Sequence, residues 1–84
     1  MLVIEEINCA LLNEKNRVIS THSCKEVCRE LENRGWELER SVVTAHCAYN
    51  LTRTEYFYKH NNHKNKMVVS DLSGSLGCSL YVEV

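Results

Sequence analysis

The spacing of apolar residues changes several times along this 84-residue chain, and each change marks an element. Cys24, Val27, Cys28 and Leu31 recur at i, i+3, i+4 and i+7, which places them on one face of a helix. Ser23 stands three residues before Glu26, the spacing of a reciprocal N-terminal cap. Glu30 and Arg34 can pair across one turn, and Gly35 supplies the left-handed residue that ends a helix. A helix over about 24–34 is therefore predicted, with Trp36 covering its end.

Alternation of period two follows. Trp36 and Leu38 share one strand face, while Val43, Ala45, Cys47 and Tyr49 form the apolar set farther on. The phase slips by one, which predicts a bulge or bend near residues 40–42. Residues 50–53 read as a turn, 55–60 as an aromatic-rich strand and 61–65 as a polar loop. Residues 66–70 form another strand and 73–77 a turn. Residues 78–84 form a last strand with Cys78, Leu80, Val82 and Val84 inward. Residues 2–12 fit two patterns. Val3, Ile7, Cys9 and Leu11 alternate like a strand, and Ile4, Ile7 and Leu11 fit a helical face. The β-branched run at 17–20 after a turn at 13–16 favours a hairpin. The expected fold is α+β: one main helix on an antiparallel sheet of four to six strands, ordered N-terminal hairpin, helix, β-meander, in a single domain spanning 1–84.

The length allows only a thin core, with about 60–65% of the unfolded surface buried. No apolar run reaches the ~18 residues of a membrane helix, so no membrane contact is expected. The opening MLVIEEINCALLNEK lacks the basic start of an export signal. Five cysteines are an odd set, better read as reduced residues of a cytoplasmic protein, mostly small core residues, than as a disulfide framework.

The net charge of −1 hides a local excess. Residues 41–70 carry four basic side chains and one acidic, a net of +3. The segment YFYKHNNHKNK at 56–66 interleaves aromatics with bases, the composition that neutralises phosphates and stacks unpaired bases. Arg53, Tyr56, Tyr58, Lys59, His60, His63, Lys64 and Lys66 are thus the candidate RNA-binding residues; a soluble hairpin whose tyrosines pack on neighbours is the alternative. His46 is a candidate general acid or base, against a plain cross-strand role. Cys24 and Cys28, one helical turn apart, and His60-x-x-His63 invite a metal reading. The cysteines coincide with the buried face and lack the two-pair spacing of a zinc site, so no metal is expected. No phosphate loop or other cofactor motif is present, and no cofactor is expected.

Residues 31–49 resemble the centre of the HicA-type mRNA-interferase toxins, which have a double-stranded-RNA-binding-like fold. In that family a helix ends in Gly-Trp or Gly-Phe, a strand carries an arginine, and Gly-Ser-His precedes an aromatic. The counterparts are Gly35-Trp36, Leu38, Arg40, Thr44-Ala45-His46 and Tyr49, with Thr44-Ala45 standing where the family has Gly-Ser. The resemblance implies that His46 stands at the catalytic position. Three functions remain open. The first is a non-enzymatic RNA-binding protein in a toxin–antitoxin or phage host-modulation setting. The second is a protein–protein inhibitor of a host defence or toxin system, with a homodimer through an edge strand such as 78–84. The third is a HicA-like ribonuclease using His46.

Overall fold

A computed structural model describes residues 1–46 and 50–84; the side chain of His46 and all of residues 47–49 lie outside that description. Of the apolar set expected along this strand, Cys47 and Tyr49 therefore fall outside it too, and Val43 and Ala45 are exposed.

Two helices, α1 (Val3–Leu12) and α2 (Cys24–Asn33), lie on one face of a five-stranded antiparallel sheet. The strands are β1 (Val18–Ser20), β2 (Glu37–His46), β3 (Leu51–Lys59), β4 (Lys66–Leu72) and β5 (Cys78–Glu83). Strands β2 to β5 form a meander, and β1 closes its far side, giving the order β1-β5-β4-β3-β2. This is the α+β arrangement the patterning predicts, with one correction. The N-terminal hairpin is not formed, because residues 3–12 are helical and β1 pairs with β5 instead. The buried face of α1 is Val3, Glu6, Ile7, Ala10 and Leu11, a 3.6-residue period interrupted by one carboxylate. Glu6 is accommodated because the Ser20 hydroxyl on β1 donates to it at 2.7 Å.

Helix α2 forms as its signals predict. The Ser23 hydroxyl accepts from the Glu26 amide at 3.2 Å, and Glu26 accepts from the Ser23 amide at 3.0 Å. At the other end Gly35 adopts φ +89. Its amide donates to the Glu32 carbonyl at 3.1 Å, and the Trp36 amide donates to Leu31 at 3.0 Å. That pair of bonds closes the helix end. Arg34 pairs with Glu30 at 2.9 Å. Val27 and Leu31 are fully buried against Trp36, Tyr58, Met67, Val69, Leu80 and Val82.

A bulge is present but lies between Leu38 and Arg40, where the β2–β3 register slips, just before the expected 40–42. Strand β3 starts at Leu51, so residues 51–53 are strand and not the turn expected at 50–53, of which Asn50 alone, at positive φ, is outside the strand. Cys78, Leu80 and Val82 point into the core as expected, whereas Val84 lies past the strand and is exposed.

Candidate interaction surfaces

The aromatic–basic segment is largely committed to structure. Tyr58 is 1% exposed, and its hydroxyl donates to Glu32 at 3.0 Å. Burial pushes its phenol far above the ordinary range. Tyr56 is half-buried against the core. The buried Tyr58 ring presents no free stacking face of the kind a base requires, whereas Tyr56 lines a cleft beside α2. His60 and His63 enclose Trp36: the Trp36–His63 rings stack with centroids 4.9 Å apart, and Trp36–His60 lie at 5.2 Å. Nδ1 of His60 accepts from the Asn62 amide at 3.0 Å, so Nε2 carries the hydrogen and donates to the Arg34 carbonyl at 3.2 Å. His60 thus holds the β3–β4 loop onto the end of α2.

The cations divide between paired and unpaired groups. Lys66 bonds Glu39 across the bulge at 2.5 Å, which holds the Glu39 carboxyl below the usual carboxylate range. Lys59 lies opposite Glu37 in the ladder. Arg53 donates to the Ser70 hydroxyl at 2.7 Å, and neither it nor Lys64 has a carboxylate within 4 Å among the described residues. Arg53 and Ser70 line a concavity of about 470 Å³ together with Ile19, Leu72, Gly77 and Ser79.

The helix-free face of the sheet is a lattice of alternating charge. Arg40 lies 3.8 Å over the Phe57 ring and 4.0 Å from Glu83. Arg17 lies 4.5 Å over Tyr81, whose hydroxyl donates to Glu55 at 2.5 Å. Interleaved signs of this kind cancel at a distance and form no basic stripe for a polyanion.

Cys24 and Cys28 approach to 3.8 Å at the mouth of a cleft of about 310 Å³ between α2 and the sheet, lined also by Lys25, Leu38, Tyr56, Tyr58 and Asp71. Their mutual hydrogen bond raises the Cys24 thiol and lowers that of Cys28. Among the described residues no three His, Cys, Asp or Glu side chains gather as a metal set.

The feature that sequence reasoning missed is the outer edge of β2. Residues 41–45, Ser-Val-Val-Thr-Ala, are all exposed and uncharged. Val43 is 65% exposed. They begin the longest run in the chain without Asp, Glu, Lys or Arg, at 41–52, which was the available signal. The edge expected at 78–84 is a different matter. Residues Cys78, Ser79 and Leu80 pair with β1 and are interior to the sheet. The three-residue β1 and the ten-residue β2 are the outermost strands, and Tyr81–Glu83 of β5, which pair with β4 alone among the described residues, keep part of the edge expected there. His46 ends β2 opposite Leu51.

No family model, curated protein or solved structure matches the chain.

Proposed function

We propose that this protein is a non-enzymatic protein-interaction module that takes an extended segment as an added strand along β2. The observation that carries this reading is the uncharged, exposed edge at residues 41–45. Edge strands left to solvent are ordinarily shortened, bulged or guarded by charge, because their free amides and carbonyls recruit other strands. The N-terminal part of β2 has a bulge, Glu37, Glu39 and Arg40 as guards; residues 41–45 have none. Main-chain bonds supply affinity in such an addition, and side chains on alternate positions supply choice of partner. A toxin–antitoxin or host-modulation setting suits a small module of this kind. Immobilised wild type and Val43→Lys, offered the same protein mixture, test it: capture must be lost in the variant, and equal capture by both refutes the reading.

RNA binding is the second reading. Arg53 favours it, since its guanidinium faces a concavity with no carboxylate close enough to neutralise it, and Lys59 and Lys64 lie exposed on the same strand and following loop. Retardation of RNA at low salt, weakening steeply as salt rises and reduced by Arg53→Ala, supports it. No retardation of any RNA at low salt removes it.

A further inference from the structure

We infer that the strand added at β2 is β2 of a second copy of this chain, paired antiparallel about a two-fold axis through Val43. The inference rests on the reading of β2 as the interaction edge and names the occupant.

Strand chemistry restricts the possible registers. In an antiparallel ladder two residues directly opposite either exchange both hydrogen bonds or exchange none. Along a strand these states alternate, so residues i and j can face each other across a self-paired edge only if they differ by an even number. The axis must then pass through a residue, not between two. An axis through Arg40 sets guanidinium against guanidinium, and like charges directly opposite destabilise. An axis through Ser41 or Val42 draws Glu39 into the ladder, at the position where the bulge breaks its regularity. An axis through Thr44 leaves Ser41, the first residue of the uncharged run, without a partner among the described residues.

The axis through Val43 avoids all of these. Ser41 then faces Ala45, Val42 faces Thr44 and Val43 faces its twin, with Arg40 opposite His46 as the outermost rung. The central rungs carry no charge, and the β-branched Val42–Thr44 pairs are favourable cross-strand neighbours. Ser41 and Val43 neighbour Tyr56 and Thr54 on β3, so the two copies continue one sheet with their helices on the same side. Beside Tyr81–Glu83 of each β5, which have no partner on that side among the described residues, the resulting ten-stranded sheet ends in the two β1 strands. Each is three residues long and preceded by Arg17, the short and charge-guarded edge that resists further growth. A closed two-fold dimer is also the commonest way for one chain to satisfy its own surface.

Sedimentation equilibrium over a dilution series tests the proposal, with circular dichroism confirming the fold of each variant. Wild type is expected to dimerise reversibly. Val43→Lys faces two ammonium groups across the axis and raises the dissociation constant about tenfold or more. Val43→Thr, uncharged and β-branched, stays within a few-fold of wild type. Thr44→Lys, which sets a lysine against Val42, serves if Val43→Lys does not fold. A wild type that stays monomeric at every concentration overturns the dimer, as does a dimer indifferent to both lysine variants. The wider reading of the edge fails separately, when Val43→Lys captures the same proteins as wild type.

Discussion

Substitution of Gly35 by alanine probes the junction that holds the β3–β4 loop against α2. Gly35 has φ +89, a conformation that costs an alanine about 1–2 kcal/mol. A Cβ at Gly35 also meets His60 Nε2 at 3.1 Å, tighter than ordinary contact. That nitrogen donates to the neighbouring Arg34 carbonyl, and displacing it loses a hydrogen bond of about 1 kcal/mol. The single variant therefore loses about 2–3 kcal/mol, and each kcal/mol lowers the Tm of a domain this size by roughly 4–8 °C. In a His60→Ala background the clash and the bond are already absent, leaving only the backbone cost of about 1–2 kcal/mol. Urea titrations of the four proteins give the coupling: Gly35→Ala must cost about 1 kcal/mol less when His60 is gone. Equal costs in both backgrounds refute the assignment of His60 to the scaffold and return it to the surface as a candidate ligand.

Three further outcomes follow from the same geometry. Ser23→Ala removes the acceptor of the Glu26 amide and lowers stability by about 1 kcal/mol in chemical denaturation, whereas Ser23→Asp retains it. Burial pushes the Cys78 thiol and the Tyr81 phenol up to about 12 from ordinary values of 9.0 and 10.0. Both hold their protons more tightly when folded, so stability is full below pH 9 and falls as pH climbs from there through 12, and Cys78→Ala with Tyr81→Phe flattens that fall. Expression of wild type and of His46→Ala gives equal growth if the protein is non-enzymatic; arrest by wild type alone restores the ribonuclease resemblance.

The parts of the fold legible in the chain are those whose cause is local. Ser23 and Glu26 cap α2 through atoms three residues apart, and Gly35 ends it through its own backbone, so their pattern survives in one dimension. The bulge announces itself as a slipped alternation between Leu38 and Val43. Helix α1 was masked because Glu6 occupies a buried position that only Ser20, fourteen residues on, makes tolerable. Tyr58 and His60 read as ligands because composition records that a ring is present and not where it points. Glu32 and the Arg34 carbonyl, which claim them, lie 26 residues away. Lys66 is likewise neutralised by Glu39 across two strand pairings. The edge at 41–45 escaped because strand order decides it: β1 crosses to β5 and leaves β2 uncovered.

Amide hydrogen exchange along residues 41–45 tests the role of β2 most directly. Amides directed at β3 are bonded in the lone chain, while those directed outward exchange rapidly unless a strand is added. The alternate, outward amides are expected to slow in concentrated wild type and stay fast in Val43→Lys at the same concentration. Outward amides that remain fast in wild type at every concentration, with any bound protein partner present, contradict that role.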